Sequence, residues 1–383
     1  NSYSLKLTRD AELYIDDEYS GDLLTKIKNS LTKRNVGPTS RLVYDRNMPT
    51  EMLEYLVEVF NLSEADLLQE GKYHNNFDFF SFPDFGMKHL KNNPLPPLSF
   101  EPLESSEDFW ACIEEKDRLI NVPYFSYESV IRFFEEAAKD PEVTHLKIIQ
   151  YRVASESRIM NALIDAARSG KQVSVFIEVK ARFDEEANLK WGDKLEAEGI
   201  KVNYSFPGLK VHSKLALVRK VVDHKTKFYS YLSSGNFHED TAKVYSDLGL
   251  FTADERITSE VARLFSYLET SQVPETPYKH LLVGQFDLRM RLEDLINYEI
   301  SEAKKGNKAE IFLKLNSLQD KRMIEILYKA SQAGVKITMI IRGICSLVPQ
   351  VKGVSENIEV ISIVDRFLEH ARIYKFYAGG KDL

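Results

Sequence analysis

The chain has 383 residues, a formal net charge of −7, and 43% hydrophobic and 28% charged residues. These values are typical of a globular protein with room for two to four domains. No apolar run approaches the roughly 18 residues that a membrane-spanning helix needs, so we expect no transmembrane segment. Nothing in this composition suggests a protein that coats DNA, and any polyanionic partner would need a local basic cleft.

Cys112 and Cys345 are the only cysteines in the sequence. Two cysteines do not make a disulfide framework, and their separation does not fit a zinc site. This usage predicts a protein of the reducing cytoplasm. The first residue is Asn1 and not Met, so we expect a piece of a longer or processed protein.

Two breaks divide the predicted elements into three segments. The first segment is mixed and helix-rich, with helical apolar spacing from Leu23 to Leu31 and from Glu51 to Phe60. Three prolines in Asn92–Pro97 end it. Pro274 and Pro277 mark a second break. The predicted domains are residues 1–98, 99–278 and 279–383.

The second and third segments repeat one pattern. A strand at Val143–Ile149, a helix and a strand at Val173–Val179 are followed 164 residues later by Ile311–Leu315, a helix and Val335–Ile341. Strand–helix–strand alternation predicts largely parallel sheets with helices packed on them. The predicted fold class is therefore α/β, with two tandem α/β domains after the helix-rich segment.

Each repeat delivers a histidine with a cation two residues later. His212 precedes Lys214, and His370 precedes Arg372. A neutral imidazole can attack phosphorus or carry a proton, and the flanking cations, including Lys210, would offset the charge of a phosphoryl group. On a strand, His212 and Lys214 would point to the same face. Duplicated units of this kind can face each other, which would bring both histidines to one cleft.

Further candidates lie near the ends of predicted strands, where ligands of open α/β sheets gather. Arg152 and Arg182 follow strands of the first repeat, Arg342 is the analogous cation of the second, and each offers a planar fork for phosphate oxygens. Tyr245 could stack on a ligand or contact phosphate. Taken alone, each is more often a surface or packing residue. The acidic run Asp184–Glu186 fits either a helix cap or a water-mediated Mg²⁺ contact.

Several motifs are long and ordered enough to point to a family. They are Tyr151–Ala154, Ala181–Asn188, Pro207–Lys214, Gly235–Phe237, Arg342–Leu347 and Ser362–His370. Together with Lys6–Glu12 near the start, they make the chain resemble the long-chain-synthesising bacterial family of polyphosphate kinases. The resemblance runs over essentially the whole chain.

This resemblance implies a phospholipase D-like fold for both tandem domains. It implies reversible transfer of the terminal phosphate of ATP to inorganic polyphosphate, with Mg²⁺ as cofactor and His212 as the residue that is phosphorylated. Lys214 and His370 would complete the catalytic set. Homo-oligomeric assembly and peripheral association with the inner membrane are further expectations, and nucleic acid is not an expected partner.

The resemblance also assigns binding residues. Tyr245, Arg342 and His370 match nucleotide-contacting positions, and Arg152 and Arg182 match positions associated with Mg²⁺. Because a guanidinium is a poor metal ligand, we interpret these two arginines as gripping phosphates that the metal also touches.

Two alternative functions stay open. The phospholipase D pattern has an aspartate seven residues after each histidine, where this chain has Arg219 and Tyr377, and this departure weakens a phosphodiesterase interpretation. In that alternative, His212 would act with His370 as the leaving-group acid. The second alternative is a non-catalytic module that binds polyanions.

Overall fold

The computed structural model describes residues 2–9, 38–83, 85–154, 156–179, 185–206 and 208–381. The chain divides into two compact units, Asn1–Leu95 with Phe206–Leu209, and Pro96–Ser205 with Lys210–Leu383. The helix predicted from Leu23 to Leu31 lies outside the described residues. Within them, no helix combines the length and apolar character that crossing a bilayer requires.

The first unit contains a three-stranded sheet and one α-helix in its described part. Strand β1 (Leu5–Arg9) is antiparallel to β2 (Thr39–Asp45), and β3 (Leu67–Glu70) is parallel to β2. Helix α1 (Thr50–Val59) confirms the helix predicted from Glu51. A single 3₁₀ turn, Glu64–Asp66, precedes β3.

The second unit alternates strands and helices. In chain order its elements are α2 (Glu101–Glu104), α3 (Phe109–Glu115), β4 (Arg118–Val122), α4 (Glu128–Lys139), β5 (Val143–Gln150), α5 (Arg158–Arg168), β6 (Gln172–Ile177), α6 (Glu185–Ala197), β7 (Lys201–Tyr204), β8 (Lys214–Val222), β9 (Lys225–Ser233), β10 (Tyr245–Thr252), α7 (Glu255–Thr270), α8 (Leu288–Lys304), β11 (Glu310–Leu315), α9 (Lys321–Gln332), β12 (Lys336–Ile341), β13 (Ile358–Ile361), β14 (Leu368–Glu369) and β15 (Ile373–Phe376).

The strand pairing reproduces the sequence repeat. Strands β5, β6 and β7 are parallel and β8 is antiparallel to β5, while β11, β12 and β13 are parallel and β15 is antiparallel to β11. The offset of 164 residues that relates Gln172 to Lys336 also relates Ile177 to Ile341, so β6 and β12 match end to end. The predicted α/β class is confirmed.

The two repeats are joined by backbone hydrogen bonds. Strand β14 of the second repeat pairs in parallel with β10 of the first, with Tyr245 opposite Leu368 and Ser246 opposite Glu369. The Ala371 amide donates to the Ser246 carbonyl at 2.9 Å. The larger sheet therefore has the order β14-β10-β9-β8-β5-β6-β7, with β4 also on β10. The predicted domain boundary at residue 278 stays a prediction.

Each sheet has its own apolar core. Aromatic rings from α3, α4, β9 and β10 fill the first core, where the ring centroids of Tyr231 and Phe251 lie 4.6 Å apart. Aliphatic side chains fill the second core, among them Leu327, Ile337 and Met339, each at most 1% exposed. Apolar burial on this scale fixes the strand register, because a shift by one residue would turn these side chains outward.

We expect Gly249→Ala to destabilise the second unit. A Cβ at Gly249 on β10 would lie 2.6 Å from Tyr231 Cζ, and the fully packed ring has no room to move. Overpacking of this kind costs about 1–3 kcal/mol in the free energy of unfolding, which urea denaturation would measure. Gly284→Ala is the matched control, because its nearest atom would be 3.9 Å away. Equal effects of the two changes would contradict this description of the core.

Candidate active site

His212 lies in the loop that immediately precedes β8, and it is exposed. Its ring meets the Tyr151 ring edge-on, with centroids 4.7 Å apart and an interplanar angle of 84°. The fully buried carboxylate of Glu178 holds this loop, because its Oε2 accepts from the Val211 amide at 2.7 Å and its Oε1 accepts from Ser205 Oγ at 2.9 Å. The imidazole is thus presented to solvent from a fixed backbone.

Lys214 begins β8 and is only 3% exposed. Its Nζ donates to the carbonyl oxygen of His212 and lies 4.8 Å from the centroid of the Tyr151 ring. The prediction that His212 and Lys214 lie on one strand is wrong in one respect, because the regular strand begins only at Lys214. Both side chains nevertheless contact Tyr151, so they lie on the same side of the sheet.

The surroundings hold His212 neutral. Although part of the residue is open to solvent, partial burial is the largest cause that lowers the pKa of His212 to about 4, followed by the charges of Lys214 and Arg372. Burial, followed by the charge of Arg372, lowers the pKa of Lys214 to about 7. The imidazole of His212 is therefore unprotonated above about pH 4. Lys214 is a cation below about pH 7, and it loses its charge as the pH rises through that value.

His370 is the second histidine of the site, and it is 7% exposed. Its Nδ1 lies 2.7 Å from Oδ1 of Asp247, a carboxylate that also accepts from Ser234 Oγ at 2.7 Å. A side chain at Gly235 would put its Cβ 2.7 Å from Asp247 Oδ2, so glycine is required for this approach. Because the carboxylate accepts from Nδ1–H, Nε2 is the ring nitrogen that carries no proton when the imidazole is neutral.

Arg372 and Tyr245 enclose His370. Arg372 donates through one terminal nitrogen to His370 O at 2.8 Å, and the same nitrogen lies 3.2 Å from Nε2. The Tyr245 ring centroid lies 5.2 Å from that of His370. Burial lowers the pKa of the Arg372 guanidinium, and nearby Arg342 contributes to the same shift. His370 and Arg372 thus place an imidazole and a guanidinium side by side.

Arg342 follows β12 and donates through Nε to Asn316 Oδ1 at 3.0 Å. In the repeat, the offset of 164 residues relates Arg342 to Glu178 and Asn316 to Arg152. The sequence predicts that Arg342 is the analogue of the first-repeat arginines. The residue at the equivalent position of the first repeat is instead the acid Glu178. Arg342 still lies near Arg372, so it belongs to the same cluster of cations.

Arg152 follows the carboxyl end of β5, with its guanidinium carbon 5.9 Å from the centroid of the Tyr151 ring. Its charge contributes to the lowered pKa of Lys214. Arg182 and Asp184, the first residue of the acidic run, lie outside the described residues. The structure therefore brings together six of the seven predicted site residues, namely Arg152, His212, Lys214, Tyr245, Arg342 and His370.

The described residues do not form a metal site. Within them, no group of three or more His, Cys, Asp or Glu side chains is arranged to hold an ion. Asp247 is the carboxylate in contact with His370, and its Oδ1 already accepts from His370 and Ser234. Guanidinium groups such as that of Arg152 repel a cation, so these residues do not fit direct Mg²⁺ ligation.

Asp247 and Tyr151 are parts of the site that sequence reasoning missed. Asp247 lies two residues after Tyr245 on β10, a spacing that places both on one face of a strand. Tyr151 directly precedes Arg152. The spacing of Asp247 from Tyr245 can be read from the sequence. The contact that makes Asp247 part of the site is with His370, which lies 123 residues further along the chain.

The protonation of His212 can be tested directly. We expect NMR titration of the His212 ring to show a midpoint near pH 4, and Arg372→Gln to raise it because a repelling charge is removed. Arg256→Gln, at an exposed guanidinium paired with Asp254, should leave the midpoint unchanged. A wild-type midpoint near the ordinary value of about 6.5 would show that the cations do not act on His212.

Comparisons with known families cover nearly the whole chain. A family model described as the polyphosphate kinase middle domain matches residues 1–82, C-terminal domain 1 matches 108–274, and C-terminal domain 2 matches 281–383. The polyphosphate kinase of Vibrio vulnificus (strain YJ016) is 44% identical over 381 residues, covering 99% of this chain and 54% of that protein. That of Escherichia coli (strain K12) is 42% identical over 384 residues, covering 99% and 56%.

A solved structure gives the same result. The crystal structure of polyphosphate kinase from Porphyromonas gingivalis matches with a TM-score of 0.84 at 38% identity, covering 100% of this chain and 55% of that one. The chain thus spans about half the length of the relatives it matches. Since the three domain models follow one another in order along the chain, it belongs to the polyphosphate kinase family.

Proposed function

We propose that the protein transfers the terminal phosphate of ATP reversibly to inorganic polyphosphate through a phosphohistidine on His212. The observation that carries the proposal is an exposed imidazole, neutral above about pH 4, inside a cluster of cations. A neutral ring nitrogen is a nucleophile at physiological pH, and the cations attract a phosphate chain.

In the first half-reaction, a ring nitrogen of His212 attacks the terminal phosphorus of ATP in line. The P–N bond forms as the bond to the bridging oxygen breaks, and that oxygen leaves with its electron pair on ADP. Lys214 and Arg152 would offset the charge on the transferred group, because such transfer depends mainly on positioning and electrostatic stabilisation.

In the second half-reaction, a terminal oxygen of polyphosphate attacks the same phosphorus. The P–N bond breaks, its electron pair returns to His212, and the chain is one phosphate longer. The enzyme is restored without any net change, so the same residues serve the reverse direction.

His370 and Arg372 are proposed to hold the phosphate that leaves with ADP. The leaving oxygen belongs to an acidic phosphate, so it needs positive charge and hydrogen bonds more than a proton. Asp247 would act as a positioning residue, because it fixes the ring of His370 through Nδ1. Tyr245 and Arg342, which lie beside this pair, are proposed nucleotide contacts.

Mg²⁺ is proposed to enter with the substrate phosphates, since the described residues offer no ligand set for it. Arg152, and Arg182 as an untested prediction, would bind the same phosphates. Homo-oligomeric assembly, cytoplasmic location and peripheral association with the inner membrane stay predictions.

Incubation of the full chain with ATP labelled at the γ-phosphate tests the proposal. We expect an acid-labile, alkali-stable label on His212 and, with polyphosphate synthesis followed by ³¹P NMR, a loss of more than about 10³-fold in His212→Ala. His89→Ala, at an exposed histidine of the first unit, is the control. Diester cleavage without ATP would favour the phosphodiesterase alternative. Undiminished synthesis in His212→Ala would refute the phosphohistidine.

The role of Asp247 gives a second test. We expect Asp247→Asn to lower kcat about 10–100-fold with little change in the KM for ATP, because the amide cannot hold the His370 ring in the same way. Ser234→Ala removes only the other hydrogen bond to the carboxylate and should have a smaller effect on kcat. Equal kcat values in both variants, with equal losses of thermal stability, would assign Asp247 a structural role alone.

A further inference from the structure

A cationic cavity lies at the end of β5 and β8 that is opposite to the His212 site. Its volume is about 1000 Å³, and it is formed by the first residues of β5 and β6, the last turns of α4, one face along the length of α5, and Arg219 of β8. Arg219 pairs with His145 across the two strands. Tyr151 follows the other end of β5, about 20 Å away at the rise of a β-strand, so this cavity is separate from the His212 site.

The cavity walls carry more positive than negative charge. The cations are Lys139, Arg158, Lys171 and Arg219, and the acids are Glu135 and Asp165. Arg158 already pairs with Glu128 and Glu135. The remaining cations Lys139, Lys171 and Arg219 have Asp165 in the lining and Asp140 beside Lys171 as acids, in a chain whose net charge is −7. A local excess of this sign attracts anions.

Arg219 is the half-buried cation at the floor of the cavity. Its guanidinium donates to Thr144 Oγ1 at 3.0 Å and to Thr226 Oγ1 at 3.2 Å, and it lies 3.4 Å from His145 Nδ1. Among the described residues these partners are all hydroxyls or an imidazole, and no carboxylate forms an ion pair with it. A partly desolvated charge without a counter-charge is costly, and a bound anion would offset it.

Two lysines complete the wall around Arg219. Lys171 Nζ donates to the Val143 carbonyl at 3.1 Å and also to the Asp140 carbonyl, which fixes its ammonium at the cavity edge. Lys139 is exposed at the rim. A guanidinium fork with two ammonium groups fits the oxygens of consecutive phosphates, and the volume is that of a nucleotide-sized site.

We propose that this cavity is a second binding site for a phosphate-bearing anion, either a nucleoside triphosphate or a short polyphosphate. The site includes Arg219 of β8, the strand that begins at Lys214. The binding proposed here does not rest on the proposed function.

Isothermal titration of the full chain with tripolyphosphate tests the site, and a parallel titration with ATP identifies the occupant. We expect two classes of site in the wild type. Lys139→Gln and Arg219→Gln should each weaken one class at least about tenfold, while Arg372→Gln should weaken the other. Arg256→Gln should change neither. Lys139 is exposed, so its variant keeps the test valid if Arg219→Gln fails to fold.

The outcomes separate the two proposals. Two classes of site without a labelled His212 would support the second site and remove the proposed function. A labelled His212 with one class of site, lost in Arg372→Gln alone, would overturn the second site and leave the function intact. Saturable binding of ATP but not tripolyphosphate would identify a nucleotide site, and the reverse would identify a polyphosphate site. Binding of neither probe to the cavity would overturn the proposal.

Discussion

The contact between Asp247 and His370 is the interaction on which the site depends. It joins a carboxylate of the first repeat to an imidazole of the second, and the adjacent pairing of β10 with β14 holds both backbones at that distance. Asp247 is 2% exposed. A carboxylate buried this deeply needs donors, so the sheet pairing and the site geometry stabilise each other.

The cations of the site outnumber the carboxylate beside them, because the charge of Asp247 acts on both Lys214 and Arg372. Burial is the largest cause of the lowered pKa values of Lys214 and Arg372, and the charges of the neighbouring arginines Arg372 and Arg342 lower them further. This repulsion lowers the stability of the folded state, and a bound phosphate chain would relieve it. Because the whole chain has a net charge of −7, such attraction is confined to local groups of cations.

Local patterns allowed the repeated α/β units, the strand ends and six of the site residues to be predicted. Contacts between strands that lie far apart in the sequence could not be predicted from local patterns. The partner of His370 could not be assigned, because no pattern in the sequence of β10 or of β14 indicates that these two strands pair. The start of β8 was placed too early, because the Val211 amide bonds to the Glu178 side chain.

Glu178 and Arg342 occupy the same position in the two repeats and do different work. The acid is fully buried and anchors the backbone beside His212, while the arginine is half-exposed and contacts Asn316. One position of the repeat thus serves as a backbone anchor in the first copy and as a positive charge in the second. Exchanging the two residues would remove the anchor beside His212 and the charge beside Arg372 together.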